Sequence, residues 1–112
     1  CWKGELHMKM IRAVVRPEAA DMISDGLAEA GFSSLTKIPV FGRGKQKGIT
    51  VGSVHYDELP KTMLLMVVQD QDVDEVVGQI KGKAHTGNFG DGKIFVTSVE
   101  KTFTIRTGST EL

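Results

Sequence analysis

Apolar residues along this chain change their spacing several times, and each change marks an element. The short, β-branched run from Met10 to Val15 is closed by Arg16-Pro17, which predicts a strand whose end the proline imposes. A helix should begin there. Pro17 suits a first helical turn, Ala20, Ile23, Leu27 and Ala30 recur on one face, and Gly31 can end the helix in a left-handed conformation. Phe32 to Val40 reads as a second strand. Residues from about 41 to 58 are rich in glycine and polar groups and too long for a hairpin turn, so a protruding loop is expected. Leu59 to Val68 resumes as a strand, and its unbroken apolar stretch from Met63 to Val68 asks for cover on both faces. Asp72 with Glu75 three residues on predicts a capped second helix, with Val73, Val76, Val77 and Ile80 as its buried stripe. Gly78 and Gly82 weaken that helix. Lys93 to Val99 forms a fourth strand, and Phe103-Thr104-Ile105 suits a short fifth.

The order strand, helix, strand, strand, helix, strand predicts an α+β fold: the ferredoxin-like double split βαβ, with both helices on one face of a four-stranded antiparallel sheet. The other face would lie open, yet Met63 to Val68 is apolar on both sides. Burial by other subunits resolves that conflict, so an oligomer is expected.

At 112 residues the chain makes one domain. Cys1 to His7 differs in character from the rest of the chain, and Met8-Lys9-Met10 reads as the natural beginning. Residues 1–7 are therefore expected to be a leader or tag remnant, with Trp2 incidental, and 8–112 the domain. Cations and carboxylates both number 14, which argues against general attraction to nucleic acid or an anionic membrane. The longest apolar run is far too short to span a bilayer, and a cytoplasmic location is expected. A single cysteine excludes an internal disulfide or a cysteine-based zinc site.

Local anion chemistry is a different matter. Thr86-Gly87-Asn88-Phe89-Gly90-Asp91-Gly92-Lys93 combines glycines, a carboxylate and a lysine just before a strand. Glycine lets successive N–H groups turn toward one set of phosphate oxygens, and Lys93 adds a mobile charge. Phe41-Gly42-Arg43-Gly44-Lys45-Gln46-Lys47-Gly48 again interleaves glycine with cations after a strand-like run. Either segment alone would serve as an ordinary tight loop; two in one short chain favour a nucleotide or another polyanion. Neither is a Walker A motif, and neither has the Gly-x-Gly-x-x-Gly start of a dinucleotide-binding helix.

These motifs carry a resemblance. From Met8 to Gly108 the chain resembles the PII family of nitrogen-signalling proteins, trimers of ferredoxin-like subunits, in Gly44-Lys45-Gln46-Lys47-Gly48, Leu59-Pro60-Lys61, Thr86 through Val96 and Ile105-Arg106-Thr107-Gly108. Phe41 to Ile49 together with His55 to Lys61 is most similar to the NifI branch, and to the first of its two paralogues, encoded beside nitrogenase genes.

The resemblance implies ATP or ADP in the clefts between subunits, with Thr36, Gly42, Lys45, Val67, Gly90, Asp91, Gly92, Lys93 and Arg106 as nucleotide residues. Lys45 replaces the arginine of most relatives. Leu65 stands where many have a glutamate near adenine, and Thr104 where they often have a second phosphate-binding arginine. Gln46 and Lys61 match the residues that handle 2-oxoglutarate. Mg²⁺ held by ATP phosphates and the Gln46 amide oxygen would accept the keto acid, and Lys61 would pair with its distal carboxylate. Gln46 lies at the base of the long loop, so binding there should reorganise the loop. Enteric relatives carry a modified tyrosine in that loop; this chain has none at that place, and Tyr56 lies near the returning strand.

The implied function is non-enzymatic: a homotrimer that, with the second NifI paralogue, grips the dinitrogenase component of nitrogenase when 2-oxoglutarate is scarce. An ammonium channel or another nitrogen-metabolism target is the alternative within the family. An ATP-dependent enzyme lacks a convincing base or nucleophile, since Asp91 is the only carboxylate in the glycine loops. RNA binding on the open sheet lacks an aromatic RNP motif. His55, Asp57 and Glu58 do not suit a metal, because adjacent residues on an extended segment point to opposite sides, and His85 reads as a loop or interface residue.

Overall fold

Among the described residues the elements run, in chain order, strand β1 (Met8–Val15), helix α1 (Pro17–Glu29), β2 (Thr36–Gly42), β3 (Ile49–Val51), β4 (Val54–Tyr56), β5 (Leu59–Gln69), a 3₁₀ turn (Asp70–Asp72), α2 (Val73–Ala84) and β6 (Gly92–Val99). This computed structural model describes residues 7–42, 49–51, 54–56, 58–88 and 90–112. The leader or tag remnant expected in residues 1–7 thus lies, but for His7, outside the described residues.

The main sheet has the order β2-β5-β1-β6 and every pairing is antiparallel. Ferredoxin-like topology is therefore present, with β1 and β5 in the middle. Registers align Ile11 with Met66, Ala13 with Leu64 and Val15 with Thr62, which places these residues on one face. Both helices pack on that face. Ile23 and Leu27 of α1 and Val76 and Ile80 of α2 are buried against Ile11, Ala13, Val15, Leu64, Met66 and Val68. Each large side chain buried here contributes about 1.5–3 kcal/mol. Val73 and Val77 are only partly buried at the edge of this core, and Ala30, just past the end of α1, is half-buried.

Helix α1 starts at Pro17 with no side-chain cap and ends in a Schellman arrangement: Gly31 N–H donates to the Ala28 carbonyl and Phe32 N–H to the Leu27 carbonyl, at 3.1 and 2.8 Å. Because that turn and Ser33-Ser34 redirect the chain, β2 begins at Thr36 rather than at Phe32. Phe32 and Leu35 instead pack on the core from outside the sheet. At its other end β2 runs through Phe41 to Gly42, two residues expected to open the loop.

Three further expectations need correction. Asp72 does not cap α2: it already has helical dihedrals as the last residue of the 3₁₀ turn, and its side chain makes no capping bond. The segment expected as a plain loop over about 41–58 contains a two-stranded ladder, in which Ile49 pairs with Tyr56 and Val51 with Val54. β-Branched and aromatic residues on either side of Gly52-Ser53 were the overlooked sign. Phe103 to Ile105 adds no strand. That segment closes on itself through Thr104 N–H to the Ser109 carbonyl and Gly108 N–H to the Thr104 carbonyl, at 2.8 and 2.7 Å.

The face without helices carries three cross-strand rows. Lys93, Val14, Met63 and Ile38 form one, Phe95, Arg12, Leu65 and Thr36 the next, and Thr97, Met10 and Val67 the third. In the single chain Met63, Leu65 and Val67 are half-buried and Phe95 is 48% exposed. Their apolar character, opposite a fully formed core, explains the unbroken Met63 to Val68 run.

On α2, a methyl group added at Gly78 would meet nothing within 4 Å. Gly78→Ala should therefore raise stability by roughly 0.5–1 kcal/mol through helix propensity alone. A higher denaturation midpoint with an unchanged fold is the expected readout.

Candidate functional site

Strand β5 leaves residue 59 carrying Lys61 on the open side of the sheet, beside Gly42 at the end of β2. The α-carbon hydrogen position of Gly42 faces the Lys61 stem: a Cβ there would lie 3.2 Å from Lys61 Cγ. The Lys61 ammonium reaches across the sheet end and donates to the Gly90 carbonyl at 2.7 Å. Gly42, Lys61 and Gly90 are thus joined contact by contact, at the root of the segment that contains residues 43–57.

The loop between α2 and β6 is organised by Asp91. Its carboxylate accepts from the Thr86 hydroxyl, from Thr86 N–H at 2.7 Å and from Gly87 N–H at 2.9 Å, while the Asn88 N–H donates to the Thr86 hydroxyl oxygen at 3.2 Å. Arg16, just after β1, adds an ion pair through its Nε at 3.5 Å. The hydroxyl bond from Thr86 and then its backbone N–H, followed by Gly87 N–H and the Arg16 charge, outweigh partial burial and hold the Asp91 carboxyl well below the usual carboxylate range. Because the folded value is depressed, the stabilisation is complete above the ordinary value of 3.8 and is lost only as pH falls from there through the folded value. The Thr86 and Gly87 amide resonances should therefore hold their folded positions through pH 3.8 and move only well below it in an NMR titration. In Asp91→Asn they should move even at neutral pH.

Gly90 and Gly92 are glycine for different reasons. At Gly92, φ is +114° and a Cβ would lie 1.9 Å from the Val14 carbonyl oxygen, so backbone occupies the space. At Gly90, φ is +92° and a Cβ would approach the Arg16 terminal nitrogen at 3.2 Å and the Lys61 ammonium at 3.3 Å, so two cations occupy it. Lys93 follows on the open face, paired in register with Val14.

The other expected residues sit elsewhere. Thr36 pairs with Leu65, and Val67 with Met10, near the opposite end of the strands. Lys61 and Val67 are six residues apart on one strand, roughly 20 Å at the usual rise. Two concavities reflect the division. One of about 710 Å³ is lined by Asp91, Gly92 and Lys93 with Val77, Ile80 and His85. The other, about 570 Å³, is lined by Thr36, Leu65 and Val67 with Phe103 and Thr104. Arg106 stands on the exposed turn of the C-terminal segment, between Ile105, which is 100% exposed, and Thr107. Lys45 and Gln46 lie outside the described residues. Sequence reasoning missed Arg16; its only sign was a cation directly before the proline that ends β1. No group of three His, Cys, Asp or Glu able to hold a metal occurs among the described residues.

Residues 8–109 match the family model described as nitrogen regulatory protein P-II. The chain belongs to the P-II family. Among curated P-II relatives, it is 65% identical over 101 residues to the nitrogen fixation nifHD2 region GlnB-like protein 1 of Methanosarcina barkeri, which covers 90% of this chain and 96% of that protein. It is 59% identical to the nifHD region GlnB-like protein 1 of Methanothermococcus thermolithotrophicus, over 92% of this chain and 98% of the relative. A P-II crystal structure from Arabidopsis thaliana, bound to citrate, superposes with a TM-score of 0.77 at 29% identity, over 96% of this chain and 89% of that one. The P-II assignment makes this a regulatory protein rather than an enzyme, and the relatives' names place it with the NifI type. No helix among the described residues is long and apolar enough to cross a membrane.

Proposed function

We propose that this P-II protein senses ATP or ADP together with 2-oxoglutarate and controls nitrogen fixation by reversible binding to the dinitrogenase component of nitrogenase, acting in the cytoplasm with the second NifI paralogue. The contact of Lys61 with Gly90 at 2.7 Å carries the reading. It links the cation assigned to the effector, the glycine loop assigned to the nucleotide and, through Gly42, the root of the segment assigned to the target. A small molecule arriving at that junction acts on all three at once.

The nucleotide residues would be Gly42, Lys45, Gly90, Asp91, Gly92, Lys93 and Arg106 around the phosphates and Thr36 and Val67 around adenine. Within one chain the sheet residues among them fall into two groups, Gly42, Gly90, Asp91, Gly92 and Lys93 toward one end of the sheet and Thr36 and Val67 toward the other, while Arg106 belongs to the C-terminal segment that follows the far end of β6. A homotrimer that packs the open faces together supplies the missing proximity: one protomer's Gly90–Lys93 loop meets residues of its neighbour. The apolar rows containing Met63 and Val67 favour such packing. Lys93 and Arg106 bring positive charge to phosphates, and Gly90 and Gly92 leave backbone accessible. Asp91 acts by holding the loop through Thr86 and Gly87. Mg²⁺, held by ATP phosphates and Gln46, would accept the keto acid, with Lys61 on its distal carboxylate. The relative that binds citrate supports a polycarboxylate ligand for the family.

The ligand must favour the released state of the long segment, because equal affinity for both states would shift nothing. Calorimetric titration of 2-oxoglutarate in Mg-ATP should give saturable heat with the native protein. Lys61→Ala should lose that heat, a drop of at least roughly tenfold expected for removing a charge-assisted partner, with trimer mass unchanged. Absence of heat from the native protein would remove the reading. The relatives' association with nitrogen fixation favours nitrogenase over an ammonium channel as target. Co-purification with dinitrogenase from nitrogen-sufficient cells separates the two.

A further inference from the structure

Strand positions on the helix-free face carry, among the described residues, the cations Arg12, Lys61 and Lys93 and no aspartate or glutamate. Lys61 and Lys93 stand toward one end of the sheet, where Lys61 donates to the Gly90 carbonyl and Lys93 follows the glycine loop. Arg12 is placed differently. It occupies the middle row on the inner strand β1, with Phe95 of β6 on one side and Leu65 of β5 on the other. The residue is half-buried in the single chain, and it makes no hydrogen bond or ion pair within the described residues. Neither flanking side chain offers a guanidinium an acceptor.

Closing an uncompensated charge into an interface is strongly unfavourable, and a homotrimer has no remedy on these faces, because every copy brings the same cation and the same lack of a carboxylate. The counter-charge must come from elsewhere. A cyclic trimer sets its copies of Arg12 at equal distances from the symmetry axis, so their charges add at one place on that axis. Each guanidinium presents a planar fork of donors that suits an anion with several acceptor oxygens. We infer that the helix-free faces of the homotrimer enclose one small divalent oxyanion, of the sulfate or phosphate class, held on the axis by Arg12 from all protomers and holding them together in turn. This rests on the homotrimer of the proposed function. It is distinct from the nucleotide and effector sites, which occur once per protomer, whereas a site on the axis occurs once per trimer.

The test titrates sulfate calorimetrically into native protein, Arg12→Lys and Arg12→Met, in chloride of matched ionic strength with saturating ADP. Native protein should give saturable heat with about one sulfate per trimer. Arg12→Met, which keeps an apolar stem, should bind at least roughly tenfold more weakly, and Arg12→Lys should recover part of the loss. Light scattering on dilution supplies a second reading. Sulfate should keep the native trimer together at protein concentrations roughly tenfold lower than chloride does, but should change Arg12→Met less than about threefold, since that variant retains only the general effect of sulfate on burial. Sulfate binding that survives Arg12→Met, or that reaches one ion per chain, overturns the inference and leaves the trimer standing, because the ion would then occupy the basic loops. A native trimer that gives no sulfate heat overturns it as well. So does an Arg12→Met that fails to trimerise in chloride, because removing an uncompensated charge should favour closure of the face. A native protein that stays a single protomer in both salts removes the homotrimer and this inference together.

Discussion

Gly92→Ala should lose at least ~3 kcal/mol of stability, the sum of a positive-φ strain and a main-chain collision. The methyl group would sit 1.9 Å from the Val14 carbonyl oxygen and 3.2 Å from Val15 Cα, so no side-chain rotation relieves it. Relief requires β6 to part from β1 where Gly92 pairs with Val15. The loop held by Asp91 enters the sheet at that point, so nucleotide binding should fall with stability. Chemical denaturation gives the first quantity and calorimetry with ATP the second. A native-like midpoint in Gly92→Ala would show that the β1–β6 junction is looser than the structure has it.

Met63→Asp should convert the proposed trimer into single protomers. Met63 lies on the helix-free face between Val14 and Ile38, half-buried before any partner arrives. Closing that face over an unpaired carboxylate costs several kcal/mol, roughly 3–5 by analogy with broken buried ion pairs, and a symmetric trimer incurs it three times. Within one chain the same side chain can remain in water, so the fold itself should survive. Light scattering after gel filtration reads the mass, and circular dichroism reads the fold. Met63→Leu should keep the native mass. A trimeric Met63→Asp would move the subunit contacts off this face and with them the argument that one protomer completes its neighbour's nucleotide site.

Much of the architecture was legible because burial leaves a periodic trace. Ala20, Ile23 and Leu27 on α1, and Val76 and Ile80 on α2, repeat at helical spacing because each must reach the same sheet. The double-sided apolar run in β5 announced a strand between neighbours, as the order β2-β5-β1-β6 has it. Boundaries were less legible. Thr36, not Phe32, starts β2, because the turn after α1 and the register with Leu65 decide where pairing begins. Asp72 carries the right side chain for a cap, but the 3₁₀ turn ahead of it had already taken its backbone into helical space.

For the site, residue types alone pointed to an anion: glycines and cations before β6 and after β2 mark places where backbone and positive charge are both available. Which of them meet is a tertiary matter. Lys61 and Gly90 are separated by 29 residues and touch only because β5 lies beside β1 and the loop before β6 folds across the sheet end. Arg16 joins them for the same reason; its place before Pro17 marked only the end of a strand. Local patterns record what each segment buries and how its backbone bends, since those demands act within a few residues. Convergence of charges from distant segments is set by strand order and register, and that information exists only once the chain has folded.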